Sequence, residues 1–260
     1  MTIVEPHRRR RRWPWVLAIV VVVVLVAAFF VADAAGRAYA KQQIADKIGA
    51  ALGVPASSLT VTLAPTPLPI QLLDGTVDSV DVSSPSVTFG PLTGALTVHA
   101  VDVPLDQAAA TRRLGVRYAI DRAQLQKLAG SFAGGVIQSV ALQPPDVVAS
   151  GTATVLGFGV PVGVKLRPAA VDGQLAFTAS GVTVAGADYT AAQLASVPGL
   201  GAAVAPLLKQ QTFCIAGYLP KALTVDSVAV TGSAVVVVVE GDGIVLGGSG
   251  LRTKGSCPGS

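Results

Sequence analysis

The chain has 260 residues, of which 51% are hydrophobic and only 13% charged, and its formal net charge is +4. The excess charge sits at the N-terminus, where five arginines occupy positions 8–12. Without them and the nearby Glu5, 14 basic and 14 acidic residues remain, so the rest of the chain is formally neutral. A neutral domain lacks the basic surface that binds polyanions, which argues against nucleic acid as a partner.

The first predicted element is an apolar run at residues 13–32 that follows the arginines directly. About 20 residues, at about 1.5 Å per residue, span a bilayer core of about 30 Å as a helix. Because basic flanks stay on the cytoplasmic side, the pattern predicts a basic cytoplasmic tail at 1–12, a membrane anchor at 13–32 and an extracytoplasmic remainder. The alternative is a signal peptide cleaved at the small residues 32–34, but the apolar run is longer than such signals need.

Residues 33–52 are predicted to continue as a helix, which Gly53 and Pro55 end. Ile44, Ile48 and Leu52 recur every four residues and therefore share one apolar face. This face is a candidate for lipid contact, although packing against a sheet explains most of it.

Residues 56–104 alternate apolar with polar side chains in short runs separated by Pro, Gly and Asp. This pattern predicts an antiparallel meander, with a turn at Pro65-Thr66-Pro67. His99 has no Cys, Glu or second His nearby in the sequence, so we interpret it as a solvated or core-edge residue rather than a ligand or base.

Residues 105–133 hold a basic cluster around a short predicted strand at 116–120. Arginine forks match phosphate oxygens, so three of these side chains are candidate contacts for anionic lipid headgroups: Arg112, Arg113 and Arg117. A solvated face is the simpler interpretation. Asp121 and Gln124 then resemble the start of a helix, along which Leu125, Leu128 and Phe132 form an apolar face.

The second half of the chain is predicted to be mostly strand. The predicted segments are 136–142, 147–156, 160–166, 174–180, 182–184 and several strands within 222–247. The five consecutive valines at 235–239 are typical of a strand buried on both faces. Residues 190–211 are predicted to be helical, with an apolar face made of Leu200, Val204, Leu207 and Leu208.

Two cysteines, Cys214 and Cys257, are the only ones in the chain. An even number in an oxidising compartment predicts a disulfide, which would pin the tail at residues 251–260. Two unpaired thiols are the alternative.

The sequence offers no catalytic constellation. His7 lies in the basic tail, His99 stands alone, and Glu5 and Glu240 are the only glutamates. Without a nucleophile elbow, HExxH or phosphate-binding loop, we predict a protein that is not an enzyme and needs neither a metal nor another cofactor.

The order of short motifs along the chain resembles the LmeA-like family of bacterial envelope phospholipid-binding proteins. The motifs, which span nearly all of residues 33–247, are Ala38-Tyr39-Ala40 in the first helix, Gly75-Thr-Val-Asp-Ser-Val80, Gly90-Pro-Leu92, Val160-Pro-Val162, Val171-Asp-Gly-Gln-Leu-Ala-Phe177 and Leu223-Thr-Val-Asp-Ser-Val228. The resemblance implies an extracytoplasmic phospholipid-binding protein, linked in some members to the upkeep of mannose-bearing envelope glycolipids, with no catalytic residues. Proteins of glycolipid biosynthesis become possible partners.

Pattern and resemblance together predict an α+β protein. After the transmembrane helix, one curved, mostly antiparallel sheet at residues 33–250 wraps around amphipathic helices and leaves an apolar groove, as in tubular lipid-binding folds. The candidate lipid-contact residues are Ile44, Ile48, Leu52, Leu125, Leu128, Phe132, Phe177, Leu200, Val204, Leu207 and Leu208. The competing hypothesis is a non-catalytic envelope protein that docks a protein partner through a sheet edge.

Overall fold

The computed structural model describes residues 13–89, 92–106, 108–132, 137–155, 158–190, 193 and 211–257. Its helices are α1 (Trp13–Leu52), α2 (Leu68–Asp74), α3 (Arg122–Phe132) and α4 (Ser249–Arg252), with 3₁₀ turns at Ala56–Ser58 and Ala216–Tyr218. The strands are β1 (Thr60–Leu63), β2 (Thr76–Phe89), β3 (Leu92–Pro104), β4 (Ala110–Asp121), β5 (Ile137–Gln143), β6 (Asp146–Val155), β7 (Phe158–Val171), β8 (Gln174–Val184), β9 (Ala187–Thr190), β10 (Gln211–Phe213), β11 (Thr224–Val230) and β12 (Ala234–Val245).

Helix α1 is continuous over 40 residues, or about 60 Å, so the predicted helix at 33–52 does continue straight from the apolar run. It ends where Gly53 adopts a positive φ of 69°, a conformation that glycine takes without steric cost. Val22, Leu25 and Phe30 are each about three-fifths exposed to solvent. Within the described residues, α1 is the one helix long and apolar enough to cross a membrane, which is consistent with an anchor or a signal sequence.

The first sheet has the strand order β1-β2-β3-β4-β12-β11, and every neighbouring pair is antiparallel. Within the predicted meander at 56–104, β1, β2 and β3 are consecutive antiparallel neighbours, with α2 between β1 and β2. Strand β4 extends the meander, and β12 enters beside it. In β12, Val235, Val236 and Val239 are all at least 91% buried. Because adjacent side chains point to opposite faces, the valine run is buried on both faces, which confirms that prediction.

The second sheet has the order β10-β8-β7-β6-β5 and is also antiparallel, with β9 paired to β8. The α+β class with an N-terminal apolar helix is therefore confirmed, but the strands divide between two sheets where the sequence suggested one. The predicted strands at 174–180 and 182–184 are a single strand, β8. An extra residue at Ser180 shifts its register against β7, and this bulge interrupts the alternation of the sequence.

Helix α2 was missed by the sequence pattern, which indicated only a turn. It begins next to Pro67, ends at Gly75 with φ 72°, and is tied to β2 by Gln71. The Gln71 side chain is 1% exposed; its Nε2 donates to the Thr66 carbonyl at 2.5 Å, and its Oε1 accepts from the Asp78 amide at 2.9 Å. Seven residues are too few for a clear helical period, so this helix depends on tertiary contacts.

Three apolar clusters hold the domain together. Ile44, Ala45 and Ile48 of α1 pack against Val61 and Val82 of the first sheet. A second cluster joins the segment before β11, and α4, to the centre of that sheet. The third joins the two sheets and includes α3.

Two glycines of the first sheet differ in the space around them. A Cβ on Gly94 of β3 would lie 2.5 Å from the carbonyl oxygen of Ala119 on β4, whereas a Cβ on Gly232, between β11 and β12, would meet nothing within 4 Å. Only the first position therefore requires glycine for close packing.

The C-terminal segment is fixed to the domain by the disulfide between Cys214 and Cys257, as predicted. Pro220 and Lys254 also form an isolated antiparallel bridge. Residues 258–260 lie outside the described residues.

Candidate lipid-contact site

One face of strands β5 to β8 in the second sheet is lined by apolar side chains. The register places Val140, Ala149, Val164 and Val182 in one row across β5, β6, β7 and β8. Because side chains two residues apart share a face, the neighbouring rows extend this surface in both directions. We call this surface the apolar face; its members are Ile137, Val140, Leu142, Val147, Ala149, Val160, Val162, Val164, Leu166, Leu175, Phe177, Ala179, Val182 and Val184.

The apolar face is only partly covered by the rest of the chain. Leu142 and Ala179 are less than a tenth exposed, but Val140, Val162 and Val164 are half-buried, as is most of the set. Several neighbouring aliphatic side chains that keep part of their surface accessible to solvent form the kind of patch that marks an interaction or ligand site. The arrangement suits acyl chains, which need area and no hydrogen bonds.

The opposite face of the second sheet carries the charged pairs. Lys165 contacts Asp188 at 2.8 Å, and Arg167 contacts Asp146 at 2.9 Å. The Lys165 hydrogen bond lowers the pKa of Asp188 below its ordinary value, and the Asp146 hydrogen bond raises the pKa of Arg167. The buried Val148 and Ala176 lie on this face too, so it is mixed in character.

The apolar face continues towards the first sheet. At one end of the second sheet, Leu142 packs with Val230 and Val235 of β11 and β12. Val147 of β6 and Leu125 of α3 border the same cluster. The inner faces of the two sheets therefore meet at this cluster, and the second sheet's apolar surface extends away from it.

Two concavities lie beside or away from the apolar face. One, of about 390 Å³, has a mixed lining that includes Lys165, Asp188 and Val148 and reaches Val162 at the margin of the apolar face. The other, of about 550 Å³, is lined by Asp226 and Glu240 together with Asp172 and Asp242. Four carboxylates would repel a phosphate, and an acyl chain would find little apolar surface among them.

The structure places the sequence-predicted contact residues in several different surroundings. Ile44 and Ile48 pack against the first sheet, Leu52 is half-buried at the end of α1, and Leu125 borders the cluster between the sheets. Phe177 belongs to the apolar face. The backbone of α3 includes Leu128 and Phe132, but their side chains are outside the described part, as are Leu200, Val204, Leu207 and Leu208 entirely.

Sequence reasoning missed the valines of the apolar face. Their alternation with Lys165, Arg167 and Thr183 was visible and did predict strands. The sequence could not indicate that four such strands lie side by side with their apolar residues on the same face, because register is a property of the folded sheet.

The three arginines of the headgroup hypothesis lie on β4 and are exposed. Arg112 contacts Asp102 at 3.1 Å and Arg113 contacts Asp242 at 3.3 Å. These carboxylates offset part of the positive charge that would attract anionic lipid. His99 of β3 lies on the sheet face that carries Arg113 and Arg117; its Nδ1 is 2.6 Å from Asp81 and its side chain is half exposed, as expected for a solvated histidine.

A domain of this kind, with a broad aliphatic face that the described chain covers only in part, belongs to the class of proteins that handle apolar ligands. Comparison with known protein families then identifies the family of this chain. The LmeA-like phospholipid-binding family matches residues 31–240, and the chain belongs to that family. No curated protein and no solved structure shows a significant similarity to the chain.

Proposed function

We propose that this protein is a membrane-anchored phospholipid-binding protein of the bacterial cell envelope. Its family supports phospholipid as the ligand. The main structural support for an acyl-chain site is the apolar face. Val164 and Val182 are the central residues of this broad aliphatic surface, and both are half-buried. In this proposal the acyl chains lie on that face and the headgroup stays at its margin, in water.

The anchor is residues 13–32 of α1, behind the cytoplasmic tail at 1–12. The lipid-binding domain is then residues 33–250 on the extracytoplasmic side, followed by the tail at 251–260 that the disulfide retains. The exposed apolar side chains of α1 support the anchor, and the arginines at 8–12 support its orientation. If the apolar run is instead cleaved as a signal, the same domain becomes a diffusing carrier.

The protein would bind lipid and would not convert it. Among the described residues, no group of three or more His, Cys, Asp or Glu side chains is placed to hold a metal ion. The role we assign is support of envelope lipid and glycolipid maintenance, with glycolipid biosynthesis proteins as possible partners.

The competing hypothesis of protein docking through a sheet edge has less support. At the outer edge of the second sheet, Gln126 of α3 donates to the Gln138 carbonyl at 2.7 Å and accepts from the Val140 amide at 2.7 Å. These bonds occupy backbone groups of β5 that an added strand would need.

The test is to produce the chain from residue 33 onward, secrete it, purify it without detergent and extract it for mass spectrometry. We expect phospholipid to co-purify in a fixed ratio close to one per chain. A domain that is folded but free of lipid, and that takes up none from vesicles, would contradict the proposal.

A further inference from the structure

One edge of the first sheet lies where α1 leaves its apolar run. Asp33, the first charged residue after that run, accepts a hydrogen bond from the Leu68 amide at 2.6 Å, which places the start of α2 beside it. Arg37 contacts Asp33 at 2.8 Å and donates to the Ala64 carbonyl at 2.7 Å. Because these bonds tie α1 to the loop before α2, the apolar run must project from this side of the domain.

The strand registers show what else lies at this edge. The start of β2 pairs with the end of β3, at Thr76 and Pro104, and the start of β4 pairs with the end of β12, at Ala110 and Val245. Strand β1 runs towards the same edge, because it is antiparallel to β2. The connections between these strands therefore emerge on the side from which the apolar run projects.

This edge carries most of the exposed large apolar side chains of the domain. Beyond α1, the described residues include seven such side chains, and five of them are here: Ile70, Leu72, Leu73, Leu105 and Leu246. Leu73 is 88% exposed, although its neighbours Leu68 and Gln71 on the same helix are buried. Leu105 lies close to the end of α2, because its amide donates to the Gly75 carbonyl at 3.0 Å. We call these five residues the anchor-side patch.

We infer that the anchor-side patch lies against the bilayer that α1 enters, with the outer side chains of α2 inserted among the lipid headgroups. This inference rests on the membrane anchor of the proposed function. Helix α2 starts beside Asp33 and is about 10 Å long, so its exposed leucines lie within about 10 Å of the end of the apolar run. This distance is comparable to the headgroup layer, which is about 5–7 Å deep in each leaflet. A second contact beside the anchor would fix the tilt of the domain, which a single helix leaves free.

The charges around the patch indicate that apolar insertion, and not attraction to anionic lipid, makes the contact. Asp74 and Asp106 border the patch and are exposed. Arg252 adds a positive charge beside Leu246, where it donates to the Gly247 carbonyl, whereas the nearby arginines at 112 and 113 are paired with carboxylates. The described residues around the patch therefore carry no net positive charge that would favour an anionic surface.

The test uses the full chain in phosphatidylcholine vesicles, with an environment-sensitive fluorophore on Leu73→Cys and nitroxide-labelled phospholipid as quencher. The native cysteines form a disulfide and do not react with the label. Thr88→Cys is the matched control. Thr88 is exposed and lies in β2, but at the end of this strand that is about 40 Å away from the anchor-side patch. We expect a blue-shifted spectrum and at least threefold stronger quenching by shallow nitroxides at position 73 than at position 88.

A second label, on Leu105→Cys, reports whether the patch acts as a unit. The paired substitution Leu72→Ser and Leu73→Ser should lower quenching at position 105 at least twofold without lowering the melting temperature, because both side chains are exposed. Equal, water-like signals at positions 73 and 88 in vesicles that float with the protein would overturn the inference. Quenching that appears only with anionic lipid would also overturn it. Failure of the protein to float with the vesicles would instead contradict the anchor itself.

Discussion

Two substitutions in the centre of the apolar face test the proposed acyl-chain site most directly. Val164 and Val182 are cross-strand partners, and both are half-buried. Replacing both with threonine keeps their shape and their preference for strands while adding two hydroxyl groups. The matched control is Val101→Thr with Val238→Thr, because these valines are also half-buried but lie on the outer face of the first sheet, paired with arginines of β4.

The magnitude follows from the cost of covering a hydroxyl with an acyl chain that offers it no hydrogen bond. Each such hydroxyl costs about 1–3 kcal/mol. At the lower end, two of them weaken binding by about 2 kcal/mol, which corresponds to about a thirtyfold rise in Kd. The control pair lies in the first sheet, away from the apolar face, and should leave Kd within about twofold.

The assay titrates a phospholipid with a fluorescent acyl chain into the delipidated chain that begins at residue 33. Melting temperatures of both double variants are measured in parallel, so that loss of binding is separated from loss of folding. If both pairs bind lipid as the parent does, or if both weaken it equally, the apolar face is not the acyl-chain site.

Three further predictions concern stability. Gln71→Ala should lower the free energy of unfolding by about 1–3 kcal/mol in urea titrations, because it removes a buried side chain that bonds both the Thr66 carbonyl and the Asp78 amide. Gly94→Ala should cost about 1–3 kcal/mol because its methyl group would collide with β4, whereas Gly232→Ala, with open space around it, should change the melting temperature little. Replacing Cys214 and Cys257 with serine opens a loop with a sequence separation of 43, and should cost about 4 kcal/mol by chain entropy.

Each of these three has an outcome that would contradict the reasoning. Unchanged urea midpoints for the glutamine variant would mean that water replaces its bonds to the backbone. Equal melting temperatures for the two glycine variants would mean that the two strands can separate slightly at no cost. A melting temperature insensitive to reducing agent would mean that the C-terminal tail is held by packing alone.

Some features of this protein are local in the sequence and could be predicted from it. The apolar run at 13–32 and its helical continuation depend on composition and period alone, and α1 contains both. The helix start at Asp121 is also local, since its Oδ1 accepts from the Gln124 amide at 2.8 Å. The disulfide followed from the count of two cysteines. Membership in the family followed from the order of short motifs.

Other features depend on contacts between distant residues, and only the tertiary structure decided them. Helix α2 is too short to show a period, and it exists because Asp33 and Gln71 satisfy backbone groups around it. The apolar face exists because the registers of β5 to β8 align valines that are far apart in the sequence, such as Val140 and Val182. Ile44 and Ile48 were sensible candidates for lipid contact, but they pack against the first sheet. The sequence determined which residues are apolar and with what period they recur. Pairing between strands determined which of these residues lie together and which stay partly exposed, because register and sheet order are not local properties of the chain.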